Sequence, residues 1–305
     1  MLAESLSRPG AERRSTAGIG VVFVDCATDR PRALNNFRQL LQEVPEAISI
    51  VVVRRTGVET FTDSQLAGRA RFVDARAKTR GEAQRLGCEA MTENCVLFTD
   101  SNSRVSSGWF RAASAAFDSG AGLIGGPVMQ DNDRPRRLCD DAGFLLDYAV
   151  HSTAPYLNAE GHPSANNFGV ARSLIELMAP GDLWKSALCR KAHQAGVVTS
   201  STPAMVTTST IHYRLRSVLS DQARRGRQHA ALRRTEIGKP EVLIRILGAP
   251  LVPFVGTWRL ARRAKVRSVL SPVRIAVFLG LCGWAAGEVL GYSDRTDAGR
   301  LGVFG

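Results

Sequence analysis

Three short, largely apolar runs, Ile19 to Val24, Ile48 to Val53 and Cys95 to Thr99, alternate with segments of helical periodicity. A strand buried on both faces has this lack of polar alternation. After the first run, Thr28-Asp29-Arg30-Pro31 offers a cap and a first-turn proline. Leu34, Phe37, Leu40, Leu41 and Val44 then follow at helical spacing. Lys78 to Met91 and Trp109 to Phe117 read as further helices, and Leu123 to Val128 as another strand. This alternation predicts an α/β chain with a mostly parallel sheet flanked by helices.

The pattern is looser elsewhere. Beyond Arg54-Arg55 a polar, irregular section runs to about Ala75. Asp131 to Arg137 is a charged loop, and Ala142 to Val150 fits helix or strand equally. Asn166 to Arg172 reads as a short strand entering a helix. Leu183 to Ala195 reads as a helix stopped by Gly196, since glycine tolerates the left-handed conformation that ends helices. Val197 to Thr199 and Ala204 to Ile211 read as strands; His212 follows, then a long basic helical region from Arg214 to Arg234.

Charge divides the chain further. Of a formal net charge of +12, Asp221 to Arg274 carries +10. Such a block suits a polyanion or an anionic membrane. Its basic residues are not interleaved with aromatics, which argues against nucleic acid. Apolar stretches accompany it: Ile244 to Trp258, interrupted by Pro250 and Pro253, and Ile275 to Gly287. The second holds 13 uncharged residues, short of the roughly 20 that a spanning helix needs. With Trp258 and Trp284 present, the region reads as lying on an anionic membrane surface. Two ordinary helices packed on the main domain are the alternative. Six scattered cysteines without a C-x-x-C pair read as reduced thiols of a cytoplasmic protein. Met1 to Ala17 is polar, lacks an apolar run and reads as a flexible tail.

Chemistry concentrates at Val96-Leu97-Phe98-Thr99-Asp100-Ser101-Asn102-Ser103, closed by Gly108-Trp109. An apolar strand ends there in Asp100, with another oxygen ligand two residues on. Ligands collect at the carboxyl ends of parallel strands. A carboxylate so placed can hold a divalent cation, Mg or Mn, against a diphosphate. A lone Asp at a strand end also reads as a simple turn or helix cap.

Several segments in order resemble the family 2 glycosyltransferases of GT-A fold, in particular membrane-associated bacterial members. Ala77-Lys78-Thr79-Arg80-Gly81 is similar to their A-R-N-x-G, and Phe98 to Asn102 through Gly108-Trp109 to their F-x-D-x-D…P-G-W. Asn166-Asn167-Phe168-Gly169-Val170-Ala171-Arg172 resembles G-N-N-x-A-x-R, Leu188 to Gly196 a helix ending R-x-x-A-G, and Gly287 to Tyr292 the ending G-E-x-x-G-Y. The resemblance implies a GT-A domain over residues 18–215, a basic and apolar membrane-associated region over 216–292, and a tail over 293–305.

It implies transfer of a sugar from a nucleotide-sugar donor to a lipid-linked or polysaccharide acceptor, by a protein peripheral or monotopic at the cytoplasmic membrane face. Asp25, Asp29, Lys78, Arg80, Asp100 and Ser101 would bind the nucleotide sugar; Asp100, Asn102 and His212 the metal; Asn166, Asn167 and Trp109 the acceptor; and Asp182 would be the catalytic base. Four positions depart from the pattern. Arg54-Arg55 stands where an acid usually meets the base, Asn102 replaces the second carboxylate, and Trp184-Lys185 stands where the family's E-D pair lies. In Gln222-Ala223-Arg224-Arg225-Gly226, Gly226 takes the Trp position of Q-x-x-R-W, which points to transfer of a single sugar; Arg224, Arg225 and Arg227 read as lipid-phosphate contacts. The departures leave open a non-catalytic protein of the same fold that binds a membrane or partner.

Overall fold

The computed structural model describes residues 18–27, 29–55, 68–77, 80–133, 135–158, 161–178, 184–234, 237–263 and 271–293. The expected N-terminal tail, nearly all of the C-terminal tail, Lys78 and Asp182 lie outside them. The first strand, β1 (Ile19–Asp25), is buried along its whole length. Its side chains alternate between two cores: Val21 and Phe23 pack with Phe37, Leu40, Leu97 and Trp109, while Val22 and Val24 pack with Phe98, Phe168 and Leu188. Asp29 caps α1 (Arg30–Glu43), accepting from Arg32 N at 3.3 Å, with proline in the first turn.

Next come β2 (Ile50–Arg55), β3 (Arg71–Ala77), α2 (Arg80–Glu89), β4 (Cys95–Asp100), β5 (Ser103–Val105) and α3 (Trp109–Asp118). They are followed by β6 (Leu123–Gly125), β7 (Val128–Gln130), α4 (Leu138–Tyr148), β8 (Phe168–Ala171), the short α5 (Arg172–Ile175) and α6 (Trp184–Gln194). The last elements are β9 (Thr199–Ser201), β10 (Thr207–Ser209), α7 (Leu215–Arg233), α8 (Lys239–Gly248), α9 (Val252–Arg263) and α10 (Pro272–Ser293). The main sheet has the order β3-β2-β1-β4-β8-β6-β9, parallel except where β8 runs against both its neighbours. A small second sheet has the order β5-β10-β7.

Four expectations change. The section read as irregular contains β3, an edge strand whose Arg71 and Phe72 are exposed, so it carries no apolar run. Leu123 to Val128 is two strands in different sheets, because Gly126-Pro127 breaks the ladder; a Cβ on Gly126 would overlap Met205 O. Residues 142–148 are helical, within α4. The apolar stretch after Ser271 belongs to a helix of 22 residues, since Pro272-Val273-Arg274 and Glu288 to Ser293 extend it. Segments 239–262 and 272–293 are both long and apolar enough to cross a membrane.

Helix α10 packs against α4 and α7. Gly283, Gly287 and Gly291 lie over the backbone of α7: a Cβ on Gly283 would stand 2.9 Å from Leu219 O, and on Gly287 or Gly291 would overlap Ala223 O or Arg227 O. Gly226 of α7 reciprocates, since a Cβ there would overlap Trp284 O. Helix α2 is fixed at both ends. Its first residue, Arg80, reaches Asp100, and at its far end Arg172 donates to three carbonyls, Cys88 O, Met91 O and Glu93 O, at 2.9–3.1 Å. A cation among the free carbonyls of a helix C-terminus is favourable electrostatically.

Candidate functional site

Asp100 ends β4 at the carboxyl edge of the parallel strands, beside Val24 of β1. Its carboxylate is 1% exposed. Oδ1 accepts from Ser103 Oγ at 2.7 Å and Asn102 N at 3.1 Å, and Oδ2 lies 2.8 Å from Arg80 Nη2. Burial acts against the charge on Arg80, but Asp100 first, then Cys26 and Tyr148, raise its pKa further above the ordinary value. Arg80 therefore stays a cation. Asn102 donates its side-chain amide to Cys26 Sγ at 3.4 Å, and its carbonyl accepts from Thr210 N at 2.8 Å. On the other side of Thr210, its carbonyl accepts from Arg32 Nη1 at 2.9 Å, and Arg32 Nη2 lies 3.2 Å from His212 Nε2. The other ring nitrogen, Nδ1, is 3.6 Å from Asp140 Oδ1. Asp100, Asn102, Arg80 and, across Thr210, His212 thus lie in one neighbourhood.

The other expected site residues that the structure describes are engaged within the protein. Asp25 is buried and holds Arg30 through both oxygens, at 2.7 and 2.8 Å. Asp29 is the cap of α1. Ser101 is fully buried; its hydroxyl accepts from Cys26 N and Ala27 N, both at 2.8 Å, and so shapes the turn after β1. Asn167 and Trp109 are internal and bonded to each other, Trp109 Nε1 donating to Asn167 Oδ1 at 2.9 Å, while Asn167 Nδ2 donates to Pro127 O and Met205 O. They present no face to a sugar acceptor. Asn166 lies behind the site, donating to Ser103 Oγ at 2.7 Å and so bracing the hydroxyl that holds Asp100.

Sequence reasoning missed a second polar cluster. Asp147 of α4 accepts from Tyr213 Oη at 2.8 Å, from Gln222 Nε2 at 3.2 Å and from both Nη atoms of Arg225. Burial and then Asp147 push the Tyr213 phenol well above its ordinary pKa, so it remains a donor. Gln222 and Arg225 are the two polar residues of the Q-x-x-R-x segment, so Arg225 is a tie between α7 and α4 rather than a lipid-phosphate contact. Arg224 pairs with Asp221. Only an acid on a helix facing that spacing could have signalled the cluster, and Ala142 to Val150 was not legible as a helix.

No family model matches the sequence, and no curated protein matches it. Among solved structures, a mannosyltransferase from Pyrobaculum calidifontis in complex with GDP-Man and Mn2+ superposes with a TM-score of 0.56 over 92% of this chain and 88% of its own, at 16% identity. The chain has the GT-A fold. Glucosyl-3-phosphoglycerate synthase from Mycobacterium tuberculosis matches at a TM-score of 0.47 and 16% identity, over 71% of this chain and 80% of its own. S. aureus TarS matches at 0.45 and 13%, over 88% and 90%.

The donors around Asp100 do not fit the expected divalent metal. Hard cations need several oxygen ligands, carboxylates foremost. Among the described residues no three His, Cys, Asp or Glu side chains converge. Asp100 is turned inward and already paired. A dication about 4 Å from Arg80 would meet a repulsion of about 8 kcal/mol at an effective dielectric of 20, which takes back a large part of its attraction to Asp100. Arg80 is the charge that already answers Asp100 there.

Proposed function

We propose that the protein is an inverting glycosyltransferase. It moves a single sugar from a nucleotide-sugar donor to a lipid-linked or polysaccharide acceptor at the cytoplasmic membrane face. The observation that carries this reading is the placement of Asp100, Arg80 and Asn102 at the carboxyl ends of β1 and β4, where α/β sheets bind ligands, in a GT-A fold. Residues 18–215 would form the transferase domain. Departure of a nucleoside diphosphate requires its developing charge to be met by fixed positive groups, and Arg80 and Arg32 stand at the site for that work, with Lys78 beside them in sequence. Asp182, ahead of α6, is the proposed base that takes the acceptor hydroxyl's proton as it attacks the anomeric carbon. Position 226 carries no indole to stack under a growing chain, which supports a single transfer.

The test is a thermal-shift panel of nucleoside diphosphates. A ligand at 100 times its Kd adds about 2.7 kcal/mol to native stability, so one nucleotide should raise Tm by several degrees. A flat panel at millimolar concentration would leave the non-catalytic reading in its place.

The membrane part of the proposal rests on the C-terminal helices. Leu243, Ile244, Leu247, Leu251, Phe254 and Trp258 are exposed along α8 and α9, within the basic block. Trp258 stacks with Arg262, the guanidinium 4.8 Å from the ring, as suits a residue at the boundary of lipid and water. Trp284 instead packs on His229 of α7, both half-buried, 5.5 Å between rings. Removing α10 would strip the cover from α7, so the membrane test uses point changes. Full-length protein should bind anionic vesicles, and Leu247→Asp with Phe254→Asp should abolish the salt-resistant part while leaving the fold intact. Salt should weaken the remainder as the screening length falls below about 8 Å. Equal binding by the double variant would show that this face does not meet lipid.

A further inference from the structure

We infer that the protein holds the diphosphate of its donor without a divalent cation, the positive charge coming from Arg32 and Arg80. The inference rests on the glycosyltransferase reading above and specifies how that site binds its donor. Each of the three expected metal ligands is already engaged within the protein. Asp100 is 1% exposed, with Oδ1 accepting from Ser103 and Asn102 and Oδ2 against Arg80. Asn102 turns its amide NH2 toward Cys26 Sγ. At His212 the argument is one of donors and acceptors. A guanidinium can only donate, so the Nε2 atom 3.2 Å from Arg32 is the acceptor of the ring. The ring proton then sits on Nδ1, facing Asp140. The nitrogen that would ligate a metal is spent on Arg32.

What the site offers instead is two guanidinium groups, Arg80 on Asp100, and Arg32 on Thr210 O, His212 and, at 3.2 Å, Asp29. Arg80 comes from the first turn of α2 and Arg32 from the first turn of α1. Arg80 Nε is buried without a hydrogen-bond partner, and a guanidinium has five N–H donors, of which Asp100 takes only part. Planar donor pairs match phosphate oxygens well. Asp100 is then the group that orients Arg80, not the ligand of a metal.

The test titrates full-length protein calorimetrically with GDP, UDP, dTDP and ADP, once in EDTA and once in excess Mn2+. The nucleotide that binds should do so with the same affinity in both buffers. Arg32→Gln, at a half-exposed position, should weaken it about 10- to 100-fold, as expected for a lost hydrogen bond to a charged group. Asp100→Asn separates the two views by sign. A metal ligand lost should abolish binding in Mn2+, whereas an Arg80 released from its counter-charge should bind the diphosphate in EDTA at least as tightly as before. Binding that appears only with Mn2+, or is abolished by Asp100→Asn, overturns the inference and leaves the glycosyltransferase reading standing. No binding in either buffer overturns both.

Discussion

Gly226→Trp, the change that would complete the Q-x-x-R-W pattern, is expected to destabilise the protein by about 3 kcal/mol or more. The reason is the crossing of α7 and α10. Even a Cβ at position 226 overlaps Trp284 O and stands 3.0 Å from Glu288 N. Those are backbone atoms of a helix, which cannot turn aside as a side-chain tip can. An indole there would push α10 off α7, and with it the contacts that α10 makes with Ala142, Leu145 and Leu146 of α4. Chemical denaturation should show the loss as a lowered midpoint. Gly248→Ala is the control: nothing lies within 4 Å of its Cβ and its φ is −81°, so that variant should be neutral or gain a few tenths of a kcal/mol. A Gly226→Trp protein as stable as the parent would mean that the helices do not cross at that point.

Asp147→Ala is expected to cost about 2–4 kcal/mol, because it leaves several donors without their acceptor at once. Gln222 is buried and Tyr213 half-buried, so water replaces the carboxylate poorly. Arg225 is 41% exposed on its side chain, so its own share is screened and modest. Asp147→Asn keeps an oxygen acceptor and should lose less than half as much. Replacing Asp147 and Arg225 together by leucine should recover part of the loss, since a stranded partner costs more than an absent pair. Denaturation midpoints for the three variants decide it. If the alanine variant melts with the parent, the cluster is ornamental.

The parallel core of the fold was legible because its strands are buried on both faces. Ile19 to Val24 and Cys95 to Thr99 had no choice but to be apolar throughout, and both are strands within a residue of where their composition puts them. Gly196, at a φ of +65°, ends α6 as its residue type implied. The edges were not legible. Strand β3 carries Arg71 and an exposed Phe72 because only one of its sides is paired, and β5 is three residues of Ser-Arg-Val whose hydroxyl serves Asp100. At the site, the sequence located Asp100 and Asn102 but could not say which way their polar atoms point. Asn167 and Trp109 look in sequence like acceptor-binding groups, yet each satisfies the other in the core. Arg32 carried no motif at all; it matters because a helix turn and Thr210 bring it against His212.

The double anchoring of α2 fixes what that helix can do when a ligand arrives. Its C-terminal half lies flush on the sheet, where Gly87 leaves no room between it and Val22, and Arg172 grips the three carbonyls beyond. Toward its other end Gln84 donates to Ala165 O at 2.7 Å, and at the first residue one arginine meets one carboxylate. An anion that draws Arg80 from Asp100 therefore frees only the first turn, and the body of the helix stays packed on the sheet. Sliding along its axis is closed to it.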